Sequence, residues 1–143
     1  MEKGILITVE TIVQAPVAQA WKFWTNPEDI LHWNNASDDW HTTKAENDLQ
    51  PGGKFLSRME AKDGSFGFDF WGIYDQIIEN QLIASTLGDE RKLTVSFQSL
   101  GGKTKIVEVF EAESSNPVEL QRAGWQAILD SFETDPERRT EPR

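Results

Sequence analysis

Cysteine is absent from the 143-residue chain, which excludes a disulfide framework, a thiolate metal site and a thiol nucleophile. No unbroken apolar run exceeds the three residues of Ile5–Ile7, far fewer than the roughly 20 that span a membrane. Basic residues are scarce: 14 Lys and Arg stand against 24 Asp and Glu, a net charge of −10. We therefore expect neither nucleic acid nor a membrane as a partner. No signal-peptide apolar region follows Met1, which favours the cytoplasm.

Familiar catalytic motifs are also lacking. The chain contains no GxGxxG, P-loop, HExxH or GxSxG pattern. The glycine pairs Gly52-Gly53 and Gly101-Gly102 do not open helices, so they are typical of hairpin turns and not of phosphate loops. We expect no cofactor and no metal.

Hydrophobic periodicity predicts the order of the elements. An alternating strand covers residues 5–13, and two short helices follow, the second capped by Asn26 with Pro27 at its first position. A strand near 38–46 is compatible with the pattern. Turn residues then separate five further strands, at Lys54–Ala61, Phe66–Ile78, Leu82–Leu87, Lys92–Ser99 and Thr104–Ala112. An amphipathic helix ends near Thr134.

This order predicts an α+β domain over residues 1–134. We expect a curved antiparallel sheet of six to seven strands, with the long C-terminal helix packed on its concave face. An up-and-down barrel is the alternative. Residues 135–143 contain no apolar side chain and are expected to form a disordered tail.

Several segments together resemble a known superfamily. They are Ala15-Pro16 with Val17, Trp21 and Trp24; Thr25–Glu28; Trp33; Asp48–Gly53; Asp63-Gly64; Gly72; and Gly124-Trp125. The chain resembles the START-like, helix-grip superfamily (SRPBCC), and within it the bacterial branch called activator of heat-shock-protein-90 ATPase homologue. Gln50 departs from the arginine common there. The resemblance implies a cavity between the concave sheet and the last helix. Its known members include lipid carriers, cyclases and a co-chaperone domain, so it implies no single function.

Residue parity predicts which side chains line that cavity. Aromatic residues of one parity in the 66–78 strand, together with apolar residues of its neighbours and of the last helix, are expected on the concave face. The predicted lining is Phe55, Phe66, Phe68, Phe70, Tyr74, Val95, Phe97, Ile106, Glu108, Phe110, Gln121 and Trp125. Plain core packing is the alternative for this set.

The acidic segment 28–48 contains both histidines. It predicts polar groups at the pocket mouth, where His41 and a carboxylate could transfer a proton. The candidates at the mouth are Asp39, Trp40, His41, Glu46 and Asp69. A solvated loop is the alternative.

Glu108 is the sharpest candidate. It shares its parity with Ile106 and Phe110, which puts a carboxyl among apolar groups on the concave face. Such a group requires a partner, for which Arg58, Gln121 or a ligand are the candidates. The opposite parity, which would leave Glu108 in water, is the alternative.

Three functions remain open from the sequence. The first is a module that binds a small apolar or amphipathic ligand. The second is a co-chaperone-like activator of a chaperone ATPase. The third is an enzyme of the cyclase or hydrolase kind that uses a His–carboxylate pair.

Overall fold

The computed structural model describes residues 5–139, and the side chains of residues 5–134. These residues form seven strands and three helices. In chain order they are β1 (Leu6–Val13), α1 (Val17–Thr25), α2 (Pro27–Trp33), β2 (Trp40–Asn47), β3 (Lys54–Ala61), β4 (Gly67–Ile78), β5 (Leu82–Leu87), β6 (Lys92–Ser99), β7 (Thr104–Glu111) and α3 (Val118–Arg139).

The strands form one antiparallel sheet in the order β1-β7-β6-β5-β4-β3-β2. β2 to β7 form a meander in which each strand pairs with the next, whereas β1 pairs with β7, from Leu6 opposite Glu111 to Val13 opposite Thr104. α1 and α2 carry the chain from one sheet edge to the other. The edge strands β1 and β2 do not pair, so the sheet is open and the barrel alternative is excluded.

Two β-bulges contribute to the curvature of the sheet. One shifts the β2–β3 register between Thr42 and Lys44, and the other shifts the β4–β5 register between Tyr74 and Gln76. A bulge bends its strand and increases the local twist. On the concave face the alternation remains strict in β7, where Thr104, Ile106, Glu108 and Phe110 are buried and the residues between them are not.

The core is densest where aromatic rings from three elements meet α3. Phe132 of α3 is fully buried and makes edge contacts with Trp24 at 5.0 Å and Trp33 at 4.9 Å between ring centroids. Trp24 also stacks on Trp33 at 4.7 Å and meets Phe97 of β6 edge-on at 5.9 Å. The buried Trp33 indole N–H donates to the Phe23 carbonyl at 2.9 Å, which satisfies its polar atom.

The predicted α+β architecture and helix-grip arrangement are confirmed. The Asn26 cap is present, since its side chain accepts a hydrogen bond from the Glu28 N–H. β3, β5 and β6 have the predicted bounds, and the strand near 38–46 forms as β2.

The predicted end of the last helix is wrong. α3 continues to Arg139, past the end near Thr134 that the sequence predicts. The prediction depended on the lack of apolar side chains, but a helix already started continues through its own backbone hydrogen bonds. Residues 140–143 lie outside the described residues. Within residues 5–139 no helix is long and apolar enough to cross a membrane.

Phe132→Ala tests whether α3 is docked through this aromatic contact. Removing the fully buried ring should lower the free energy of unfolding by about 3–5 kcal/mol, measured by urea denaturation. Leu120→Ala on the same helix is the control, because Leu120 is 59% exposed and its loss should change stability by less than about 0.5 kcal/mol. Equal effects of the two substitutions would contradict the packing described.

Candidate functional site

A cavity of about 320 Å³ lies between the concave face of the sheet and the first half of α3. On the sheet side, two small residues line the cavity, Ser57 on β3 and Ser85 on β5. Most of the other lining residues of the sheet have larger side chains. Gly72 on β4 leaves room for the Phe55 ring, since a Cβ there would lie 2.7 Å from Phe55 Cζ. α3 covers the space with Gln121, Trp125 and Ile128.

Most of the predicted lining residues reach this cavity. They come from β3, β4, β6, β7 and α3, as the parity argument requires: Phe55, Phe68, Phe70, Tyr74, Val95, Glu108, Gln121 and Trp125. The Tyr74 hydroxyl donates to Asn47 Oδ1, and Asn47 Nδ2 donates to the Thr25 carbonyl at 2.6 Å. Burial, the main cause, raises the pKa of Tyr74 above its ordinary value, so the phenol stays neutral.

Four predicted lining residues lie elsewhere. Phe66 precedes β4, at the end of a turn outside the strand alternation, and is 62% exposed. Phe97 and its β7 neighbour Ile106 lie at the closed end of the concave face, where Trp21 meets Phe97 at 5.1 Å. Phe110 is fully buried beneath Trp125, whose ring stacks on it at 3.8 Å and 16°. Trp125 therefore lies between Phe110 and the cavity.

Of the predicted mouth residues, only Glu46 lines the cavity. Asp39 is exposed and accepts a hydrogen bond from the Ser37 hydroxyl. Trp40 packs on Phe66 and Phe68; of these three aromatic residues only Phe68 lines the cavity. Asp69 is exposed and pairs with Arg58 at 3.3 Å.

His41 does not line the cavity, and its side chain makes no hydrogen bond or ion pair with another described residue. It lies opposite Glu60 on β3, on the other face from Met59, which does line the cavity. The His–carboxylate pair proposed for the enzyme hypothesis is therefore not formed, because the β2 backbone directs His41 away from the concave face. Among the described residues, no group of three or more His, Asp or Glu side chains could hold a metal ion.

The contribution of the short helices to the cavity was not expected from the sequence. Trp24, Ile30, Trp33 and Asn34 line the cavity at the side of α1 and α2. Ile30 and Trp33 recur at helical spacing, so α2 already showed an apolar face. What it did not show is that this face borders a cavity as well as the core.

Glu108 occupies the centre of the concave face, as its parity predicts. It lies between Val95 on β6 and Val9 on β1 and is only 6% exposed. Burial raises the pKa of Glu108 to about 8, because the charged form loses its hydration. The predicted inward orientation is correct, and the alternative that leaves Glu108 in water is excluded.

The two protein partners predicted for Glu108 are bound elsewhere. Arg58 pairs with Glu60 at 3.0 Å and with Asp69. Gln121 donates to the carbonyls of Glu113 and Asn116 at 3.0 and 2.8 Å and accepts from the Glu113 N–H at 2.9 Å. These bonds attach the start of α3 to the segment that follows β7. Within the described residues Glu108 makes no side-chain hydrogen bond or ion pair.

Glu108→Gln tests the burial of this carboxyl through the pH dependence of stability. Glu108 titrates at about pH 8 in the folded protein, against an ordinary pKa of 4.5. The contribution of Glu108 to the free energy of unfolding is therefore largest below pH 4.5 and is lost as the pH rises to 8. Relative to the variant, the wild-type free energy of unfolding should fall between pH 5 and pH 8 by up to about 1.4 kcal/mol per pH unit.

Urea denaturation at pH 5, 6, 7 and 8 measures this difference. Glu46→Gln removes an exposed carboxylate instead, and its stability should follow the wild-type curve. Parallel pH curves for the wild type and Glu108→Gln would contradict the buried position of Glu108.

Comparison with solved structures finds close similarity over nearly the whole chain. An AHSA1-like protein from Aeromonas hydrophila, solved by NMR, is 37% identical with a TM-score of 0.89, covering 97% of this chain and 99% of that one. A protein from Cytophaga hutchinsonii is 47% identical with a TM-score of 0.79, covering 96% of each chain. A protein from Chromobacterium violaceum, at 19% identity and a TM-score of 0.81 over 91% of this chain and 96% of that one, shows the fold alone.

The family comparison agrees with these structures. A search of the curated proteins finds no match. The family model described as "Activator of Hsp90 ATPase homolog 1-like protein" matches residues 14–134, which include α1, α2, the meander and most of α3. The resemblance noted from the sequence is confirmed: the chain belongs to the Activator of Hsp90 ATPase homolog 1-like family and has its helix-grip fold.

Proposed function

We propose that the protein is a binding module that holds a small apolar or amphipathic molecule in the cavity beneath α3. The observation that supports this is the unfilled space itself. Protein interiors are close-packed, with few voids larger than a water molecule. A space of about 320 Å³ is instead within the range of small-molecule pockets.

The composition of the wall also supports a small-molecule ligand. Rings of Phe55, Phe70 and Trp125 supply apolar surface. Few polar groups interrupt it, and two of them, the Ser85 hydroxyl and the Glu108 carboxyl, have no side-chain partner among the described residues. An apolar wall with a few placed polar groups is the usual form of a ligand site.

Ser85→Leu tests the proposal by filling the cavity. Ser85 is 2% exposed and faces the cavity from β5, so a leucine there should occupy the space of a ligand. The probe is N-phenylnaphthylamine, a neutral molecule whose fluorescence rises in apolar surroundings. Wild-type protein should bind it, and Ser85→Leu should bind it at least about tenfold more weakly.

Ser96→Leu is the matched control for this experiment. Ser96 lies on β6 between the inward-facing Val95 and Phe97, so its side chain is on the other face of the sheet. This variant should bind the probe as the wild type does. The proposal is overturned if the wild type does not bind the probe, or if both leucine variants bind it equally well.

A second candidate, activation of a heat-shock chaperone ATPase, is favoured by one surface feature as well as by the family. Phe66 and Phe68, which are 62% and 40% exposed, form an exposed aromatic cluster with the half-buried Trp40, with ring centroids 6.0–6.3 Å apart. Contiguous exposed apolar groups are typical of protein interaction sites.

An ATPase assay with a purified bacterial heat-shock-protein-90 chaperone tests this candidate. The wild type should stimulate ATP hydrolysis, and Phe66→Ser should lose at least about half of the stimulation if the exposed aromatic cluster makes the contact. Leu120→Ser, which alters an exposed apolar residue on α3, should behave as the wild type. Absence of stimulation by the wild type would reject this function.

A further inference from the structure

Glu108 is a buried acidic group that the protein itself leaves without a partner. It is more than nine-tenths buried, and its carboxyl makes no hydrogen bond or ion pair with any described side chain. Among the described residues, every side-chain nitrogen or oxygen that is inaccessible to solvent has a hydrogen-bond partner. An oxygen without a partner must therefore be accessible. The carboxyl oxygens of Glu108 therefore remain accessible from the cavity that this residue lines.

The charges around the cavity favour a positively charged ligand group. Three acidic residues line it, Glu46, Glu108 and Glu113, against the single basic residue Arg91. Arg91 is already engaged, by Asp89 at 2.7 Å and by the Glu111 carbonyl at 2.9 Å. An anionic ligand would therefore lie beside Glu108 and find no free cation to compensate its charge.

The other two carboxylates are less available than Glu108. Glu46 is exposed at the rim and pairs with Lys44 at 3.0 Å. Glu113 accepts hydrogen bonds from Asn116 Nδ2 and the Ser115 N–H, which lower its pKa. Glu108 is thus the carboxyl that is both deep in the cavity and free to bind.

We propose that the ligand is an apolar amine, bound with its ammonium group on the Glu108 carboxylate and its apolar part against Trp125, Phe70 and Phe55. This inference rests on the proposed function of the cavity as a small-molecule site. An N–H⁺ group can donate charge-assisted hydrogen bonds to the carboxylate, which are among the strongest polar contacts in a dry site. The rings supply the apolar contact that a simple inorganic cation could not use.

Proton exchange at Glu108 gives the binding a defined pH dependence. With its raised pKa, Glu108 holds a proton in the empty protein near neutrality, and an ammonium group must displace that proton. Amine affinity should therefore increase as the pH rises towards 8. The other titratable groups that face the cavity are Tyr74 on β4, Glu46 on β2, Arg91 before β6 and Glu113 after β7; the described part of α3 contributes only uncharged side chains.

Isothermal titration calorimetry with three matched probes tests the inference. Phenylbutylamine, phenylbutanol and phenylbutyrate share the apolar part and differ in charge. At pH 8.5 the amine should bind at least about tenfold more tightly than the alcohol, and the butyrate most weakly. Between pH 6 and pH 8.5 the amine should gain at least about tenfold in affinity, because an alkylammonium, like lysine, stays charged to about pH 10. The alcohol should gain much less.

Glu108→Gln and Glu79→Gln separate the buried carboxyl from the general negative charge, because Glu79 is exposed and does not line the cavity. Both variants lose one negative charge, but only Glu108→Gln should lose at least about tenfold in amine affinity together with the pH effect. Alcohol binding by Glu108→Gln should stay within about threefold of the wild type. If Glu108→Gln does not fold, the pH comparison of amine and alcohol in the wild type still decides the question.

The outcomes distinguish this inference from the proposed function. Equal binding of amine and alcohol at both pH values would overturn the amine inference and leave the cavity as a ligand site. Binding of N-phenylnaphthylamine without binding of the amine would do the same. Failure of every probe, N-phenylnaphthylamine included, would overturn the proposed function itself.

Discussion

The position of α3 depends on one aromatic contact, between Phe132 and the stacked pair Trp24 and Trp33. This contact joins all three helices, and Trp24 extends it to Phe97 on the sheet. α1 and α2 connect opposite edges of the sheet, so the same rings that hold these helices also fix the second half of α3. Buried aromatic residues supply large apolar area with defined geometry, which makes this end of the concave face a packed core.

The cavity follows from how the first half of α3 is held at a distance from the sheet. Trp125 lies flat on Phe110, so a pair of stacked rings lies between this part of α3 and β7. Gln121 ties the start of α3 to the backbone of Glu113 and Asn116 and prevents it from settling further. The sheet opposite carries the small side chains of Ser57 and Ser85, which do not fill the remaining space. The concave face therefore has two parts. The rings around Phe132 form a packed core at one end, and the small side chains of Ser57 and Ser85 leave a cavity at the other.

Local sequence signals were sufficient for the order of the elements and for the inward faces of β4, β6 and β7. Turn residues between alternating strands predicted the bounds of β3, β5 and β6, and parity placed Glu108 and Phe70 on the concave face. Parity could not tell that Phe97 and Ile106 fall at the closed end, because that depends on where α1 and α3 pack. Parity applied to β3 would have excluded Arg58 as the partner of Glu108, since Phe55 faces inward and Arg58 has the opposite parity, on the same face as Glu60 and Asp69.

The pairing of β1 with β7 has a consequence for how the chain folds. Leu6 lies opposite Glu111, so the first strand has no partner until almost all of the sheet has been synthesised. Loop-closure entropy must be overcome before this non-local contact gives any stabilisation, which slows folding relative to a domain built from local hairpins. The meander from β2 to β7 consists of sequential hairpins and can form first. In the folded protein β1 adds to the last strand of this meander, and its buried side chains Ile7, Val9 and Val13 complete the core.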